Sequence, residues 1–169
     1  MKKYLLSTLV CTLIFINSFS QGAKSIYVEL GGAGLASVNF DMRFGNKEDG
    51  LGFRAGIGGF SVSTSYTGLE DSKTSIVTIP LGLTYLLGKD KRNYFELGAG
   101  ITPVFASNKD TYDGSTSEDK FNSTFGHLYF GYRLQPANGG FLFRAGITPV
   151  FGKGYFIPYY AGISFGYKF

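Results

Sequence analysis

Within the alternating runs that fill the chain from Ile26 to Phe169, charge is confined to one phase of a two-residue repeat, and this most constrains the fold. In the last run the odd positions are Ile157, Tyr159, Ala161, Ile163, Phe165, Tyr167 and Phe169. The even positions include Tyr160, Gly162, Ser164, Gly166 and Lys168. The preceding run sets Phe141, Phe143, Ala145, Ile147 and Phe151 against Arg144, Gly146 and Thr148. Further upstream, Phe95, Leu97, Ala99, Ile101 and Phe105 oppose Glu96, Gly98, Gly100 and Thr102. Successive side chains of a strand point to opposite faces, so each run is a strand with one uncharged face.

Eight such runs are predicted, near 26–33, 37–45, 51–63, 75–87, 93–106, 122–134, 140–151 and 156–169. The segments 46–50, 88–93 and 135–140 are short polar turns. Residues 64–74 and 107–121 are longer and rich in Ser, Thr, Asp and Lys, and are predicted as loops. The connections at Leu35–Ala36 and around Gly152–Tyr155 are shorter members of that second set. Tight turns at one rim and longer loops at the other are the asymmetry of a barrel that crosses a membrane with strands.

Which phase faces inward follows from size. The charged phase is otherwise mostly Gly, Thr, Ser and Tyr, a poor solvated surface. The other phase is Leu, Ile, Val, Phe and Tyr, too bulky for the interior of an eight-stranded barrel. The chain has 25 Gly, 17 Phe and 12 Tyr, and only 17% of its residues are charged against 44% hydrophobic. Small residues inside and large apolar residues outside suit a wall bathed in hydrocarbon, and ring closure pairs every backbone donor. The expected fold is therefore all-β: a transmembrane, up-and-down antiparallel β-barrel of eight strands.

Aromatic residues fall at both ends of the apolar phase. Phe44, Phe53, Tyr85, Phe95, Tyr132, Phe143, Tyr167 and Phe169 lie near the short-turn rim, and Phe60, Phe105, Phe151 and Tyr159 towards the loop rim. Amphipathic rings favour the headgroup zone, so two girdles are expected. Pro80, Pro103, Pro149 and Pro158 lie towards the loop rim, where a missing ladder donor is tolerated. The segment Gly98–Phe105 recurs nearly unchanged as Arg144–Phe151, a hairpin-sized echo without the period of a solenoid.

Residues 1–20 read as a cleaved secretory signal peptide: Lys2 and Lys3, an apolar run from Tyr4 to Ile16, then small residues before Gln21. The apolar run is too short to span a bilayer. Cys11 sits inside it rather than at the cut, which argues against a lipoprotein. Residues 21–169 then form the barrel domain, with no cysteine and a net charge of +2. So small a charge is no argument for nucleic-acid binding.

The ending Phe165-Gly166-Tyr167-Lys168-Phe169 resembles the C-terminal signal read by the barrel-assembly machinery, with aromatics on alternate residues and a terminal Phe. Ser164 replaces the glycine usual five residues from the end. With the strand pattern, this makes the mature chain similar to small eight-stranded outer-membrane barrels of the OmpX/OmpW-like, porin-family type. The resemblance implies a protein of the bacterial outer membrane, surrounded by its lipids and inserted by that machinery.

Seven charges on the inward phase are the most site-like feature: Glu29, Asp41, Arg43, Arg54, Glu96, Arg133 and Arg144. All are expected within a few residues of the short-turn rim, in one layer. Three carboxylates facing four arginines suggest mutual neutralisation in a structural plug, with a gated solute path as the rival. The lone His127 has no serine and acid in a triad pattern beside it, so no catalytic residue is assigned and no enzyme is expected. One His without Cys partners makes no zinc site. The glycine runs Gly31–Gly34 and Gly56–Gly59 lack a following helix, so no nucleotide loop or cofactor is expected. Asp110, Asp113, Glu118 and Asp119 lack calcium-loop spacing and alternate with Lys109 and Lys120, as a solvated loop does. The expectation is a monomeric outer-membrane barrel with a structural or interaction role through its surface loops. A small channel for small or apolar solutes is the alternative, and an envelope-lipid enzyme comes third.

Overall fold

The computed structural model describes residues 22–66, 69–112 and 115–169. The signal peptide predicted over residues 1–20 lies outside them. Eleven antiparallel strands run in chain order: β1 Lys24–Gly31, β2 Leu35–Arg43, β3 Gly50–Tyr66, β4 Leu69–Thr78, β5 Leu81–Leu87, β6 Asn93–Tyr112, β7 Ser115–Leu134, β8 Gly140–Ile147, β9 Val150–Gly152, β10 Tyr155–Ile157 and β11 Ala161–Lys168. They form eight walls, because β4 with β5, β8 with β9, and β10 with β11 are each one wall interrupted near a proline. Neighbouring walls pair in chain order, and β1 also pairs with β11, from Ser25 opposite Lys168 to Gly31 opposite Gly162. The ladder thus returns to its start, and the amide of Phe169 donates to Lys24 O at 3.0 Å to finish the seam.

The extra breaks have one cause. Pro80, Pro149 and Pro158 cannot donate to a ladder. Their walls hold because the carbonyls still accept: Gly56 N donates to Pro80 O at 2.9 Å, and Leu128 N to Pro149 O at 2.9 Å. Across the Pro158 break, Thr148 N donates to Tyr160 O at 2.6 Å. Pro103 stays inside β6, opposite Thr124, and its carbonyl takes Ile79 N at 3.0 Å.

The two faces differ in size and polarity. Leu30, Ile57, Leu83 and Ile101 are 50% or more exposed on the outside. Inside, Tyr27, Glu29, Asp41, Thr84, Glu96, Thr102, Tyr129 and Arg144 are buried. The surface left open is the lipid-facing band expected of a membrane barrel. At the short-turn rim Phe143 packs on Phe165 with ring centroids 5.4 Å apart, and Tyr132 and Phe141 extend the row.

Two predicted loops are strand instead. Residues 64–66 and 69–74, and 107–112 and 115–121, continue the ladders of β3–β4, β4–β6 and β6–β7, with pairing as far as Tyr66 opposite Leu69 and Tyr112 opposite Ser115. The polar composition that suggested loops reflects a sheet in water on both faces rather than one against lipid. A four-stranded extension therefore projects beyond the ring, and its outer edges, from Phe60 in β3 and up to Phe125 in β7, have no further strand among the described residues.

The same ladder corrects the placement of Phe60. The β3 register runs unshifted from Arg54 opposite Gly82 to Phe60 opposite Ile76. Phe60 thus shares the face of Arg54 and Gly58, not the outward face. It heads a cross-strand row, Phe60–Ile76–Ala106–Phe121, that looks over the mouth of the barrel.

Candidate functional site

All seven inward charges meet inside the barrel, and each is 3% exposed or less. They form a single alternating chain: Arg43–Asp41–Arg133–Glu96–Arg144–Glu29–Arg54. Arg43 Nη2 lies 2.6 Å from Asp41 Oδ2, and Arg133 Nη2 lies 3.0 Å from Asp41 Oδ1. Arg133 Nη1 stands 3.6 Å from Glu96. Arg144 takes Glu96 with two parallel bonds, Nε to Oε2 at 2.8 Å and Nη2 to Oε1 at 2.7 Å. Its Nη1 reaches Glu29 at 3.2 Å, and Arg54 Nη2 completes the row on Glu29 Oε1 at 2.5 Å. Side-on bidentate pairing is the strongest geometry available to a carboxylate.

Neutral neighbours take several of the remaining donors. Arg43 also donates to Thr84 Oγ1 and to the carbonyls of Gly50 and Thr84. Asn39 Oδ1 accepts from Arg54 Nε at 3.0 Å, Ser25 Oγ from Arg133 at 2.9 Å, and Ser164 Oγ from Arg144 at 3.3 Å. Four arginines against three carboxylates leave one positive charge in excess over the row, and two rings lie at its centre. The Arg144 guanidinium is 4.5 Å from the Tyr27 centroid and 4.6 Å from that of Tyr129. Aromatic faces attract such a cation, more strongly where water is excluded. The Tyr129 ring lies flat on the wall because its neighbours are glycines: a Cβ on Gly131 would stand 2.6 Å from the Tyr129 hydroxyl.

The layer is taller than expected. Glu29 does not lie near the short-turn rim but two residues from the loop-side end of β1, and Gly34 N donates to its carboxylate at 3.3 Å. There the β1–β2 connection, a 3₁₀ turn at Gly32–Gly34, folds inward over the lumen rather than outward. Gly31 and Gly32 take left-handed φ values of +76° and +62°, which lets the chain reverse in so few residues. Across the barrel Thr78 Oγ1 donates to Gly34 O at 2.8 Å and Thr102 Oγ1 to Ala33 O at 3.0 Å. At the opposite end the β2–β3 turn is held over the mouth. Lys168 Nζ pairs with Glu48 at 2.6 Å and donates to Ala137 O, while Gln135 Nε2 donates to Glu48 O at 3.2 Å.

His127 is buried beside the upper turn, with Nδ1 3.3 Å from Thr102 Oγ1 and its ring edge-on to Phe125. Its side-chain hydrogen-bond partner among the described residues is Thr102, neither a serine nor an acid. Among the described residues no three His, Cys, Asp or Glu side chains converge as metal ligands do. Glu118 takes Ser107 Oγ at 2.9 Å, with Lys120 and Lys109 at 3.6 and 3.9 Å. The Ser107 hydroxyl first, and the two lysines after it, hold the Glu118 carboxyl below its ordinary pKa. Asp113 lies outside the described residues. Phe165, Tyr167 and Phe169 stand on the outer face of the closing strand, opposite Val28, Ile26 and the start of β1.

No family model matches the sequence, and no curated protein matches it. Solved structures do. The N-terminal β-barrel domain of Pseudomonas aeruginosa OprF superposes with a TM-score of 0.54 at 13% identity, covering 88% of this chain and 100% of that one. Ail, the attachment invasion locus protein of Yersinia pestis, gives 0.57 at 15% identity, covering 89% and 100%. Ail in complex with the heparin analogue sucrose octasulfate gives 0.58 at 14%. The fold is that of a small outer-membrane β-barrel.

In this outer-membrane-type barrel, sequence alternation placed the charges on one face but not the groups that order them. Tyr27, Tyr129, Asn39, Ser25, Thr84 and Ser164 share the charged phase, and that shared phase was the available signal. The inward fold of Gly32–Gly34 had a weaker one, the run of glycines at a strand end.

Proposed function

We propose that this is an integral protein of the bacterial outer membrane whose lumen is sealed and whose contacts with the outside run through the four-stranded extension. The observation that carries the reading is the extension itself. Sheet edges left bare in water invite pairing and are normally blunted. Here neither outer edge pairs with a further strand among the described residues, and Phe60, Val62 and Phe121, all exposed, stand on the face that looks over the mouth. Such a surface suits a protein partner that adds a strand or packs on the aromatic row.

The ionic chain supports a closed lumen. Seven paired charges, two stacked rings and a turn folded into the upper end fill the space that a solute would need, as side chains do in barrels of this size. The channel reading has no comparable feature in its favour. The attachment in Ail's name fits an outward-facing role of this kind. The polyanion bound by Ail does not carry over, because the loop-side segments hold four lysines against six acidic residues.

The test is attachment of cells displaying the full barrel or a variant in which residues 60–76 and 106–121 are each replaced by a short turn. Loss of binding to protein-coated surfaces, with the variant still heat-modifiable in gels, is the expected result. Equal binding by both would end the interaction reading.

A further inference from the structure

The second concentration of charge lies at the short-turn rim, outside the ionic chain. Three turns converge there, Phe44–Asp49, Gly88–Arg92 and Gln135–Gly139, around a cavity of about 530 Å³. Lys47, Lys89 and Lys91 stand at its wall with Asp49 and Glu48. Glu48 is already paired with Lys168 at 2.6 Å, so Asp49 and Asp90 oppose three ammonium groups and leave one positive charge in excess. Tyr94 lines the cavity, is 2% exposed, and has a hydroxyl with no hydrogen-bond partner. A buried donor left unpaired is costly, so a ligand oxygen placed against it would be stabilised.

The wall is shaped as well as charged. The Tyr94 ring lies against the backbone of Gly88, where a Cβ would come within 2.6 Å of Tyr94 Cδ1. The turn that carries Lys89 and Lys91 is fixed: Asp90 accepts from Arg92 N at 3.0 Å and from Asn93 N at 2.7 Å. Lys91 itself holds a left-handed φ of +57°, a conformation that a non-glycine residue keeps only when its surroundings impose it.

We propose that this cavity is a binding site for a phosphate-type oxyanion, with the Tyr94 hydroxyl donating to it and Lys47, Lys89 and Lys91 supplying the charge. The chemistry is shared by a diffusible phosphate and by the headgroup of an anionic phospholipid in the adjoining leaflet. The site is independent of the outward-facing role proposed above, and binding in detergent tests it without reference to that role.

The experiment follows the amides of Gly88–Asn93 by NMR on the folded protein in a non-ionic detergent. One titration uses inorganic phosphate, a second dihexanoyl phosphatidylglycerol, and a third dihexanoyl phosphatidylcholine as the neutral control. Saturable shifts are expected with one or both anions and none with the control. Binding of phosphate assigns a diffusible ligand, and binding of the glycerol lipid alone assigns a headgroup. Tyr94→Phe is expected to weaken binding roughly fivefold, the worth of one hydrogen bond. The triple variant Lys47→Gln/Lys89→Gln/Lys91→Gln is expected to weaken it at least tenfold. Gly88→Ala, which leaves every charge in place, is also expected to weaken it by crowding the ring. Heat-modifiable migration checks that each variant is folded. No saturable shift with either anion would overturn the proposal. So would full binding by Tyr94→Phe and Gly88→Ala, which would mean loose attraction to surface lysines.

Discussion

Arg144 meets Glu96 side-on, with Nε 2.8 Å from Oε2 and Nη2 2.7 Å from Oε1, and both side chains are fully enclosed. The pair is the centre of the lumen. Glu96 also faces Arg133, Arg144 also reaches Glu29, and Tyr27 and Tyr129 flank the guanidinium. Each of the five inner members of the row therefore has an opposite charge on either side, and removal of one is felt along the row.

The closed ladder predicts heat-modifiable migration. Folded protein kept cold in detergent should run differently from boiled protein and give a β-type circular dichroism spectrum. Identical migration with a helical spectrum would contradict ring closure.

Leu83 and Ile101 lie half exposed on the outer face, opposite Ala99 and Leu81. Leu83→Arg should cost roughly 2–4 kcal/mol in vesicles if this wall meets lipid near the midplane, and Leu83→Phe far less. Urea titration of refolded protein in phospholipid vesicles measures both. Equal midpoints would mean that the face does not contact hydrocarbon.

The inward turn is held by two hydroxyls, Thr78 on Gly34 O and Thr102 on Ala33 O. Replacing both with Val leaves two buried carbonyls short of a donor, at about 1 kcal/mol each. The expected outcome is a midpoint lowered by about 2 kcal/mol and faster hydrogen exchange at Gly34. An unchanged midpoint would show that these contacts hold nothing in place.

The lower turn is tied by Lys168 to Glu48. Glu48→Gln weakens a partly exposed ion pair, a class worth about 1 kcal/mol or less. Amide exchange at Lys47–Asp49 should quicken while the global melting point stays within a degree or two. A large drop in melting point would make this turn part of the core.

The walls were legible in the sequence because lipid outside and a narrow lumen inside impose opposite sizes on alternate residues. Leu83 and Thr84 differ in kind because one meets solvent hydrocarbon and the other meets Arg43 and Asp41. The alternation fails where that contrast ends. Beyond the ring, Ser61, Thr74 and Asn108 lie in water on both faces, so continuing strand reads as loop. Phe60 keeps the phase of Arg54, and its aromatic ring is what misleads: past the lipid band, an aromatic residue no longer reports the outer face. Nor does alternation within a strand reveal how far a charge reaches. Glu29 is joined to Arg54 and Arg144 across the lumen by side-chain length and wall stagger, which spacing along one strand cannot show.

The central proposal is that the seven charges seal the lumen as an alternating chain of ion pairs, and Glu96 tests it most directly. Urea midpoints and bilayer currents should be taken on the same preparations of wild type, Glu96→Gln and Glu96→Gln/Arg144→Met. The single variant leaves Arg144 and Arg133 without a shared counter-charge, a loss of about 3–5 kcal/mol for a broken buried pair. The double variant removes both partners of the central pair and should recover most of that loss. No steady current is expected from the wild type. A Glu96→Gln barrel with the wild-type midpoint and an ion-selective current would contradict the account.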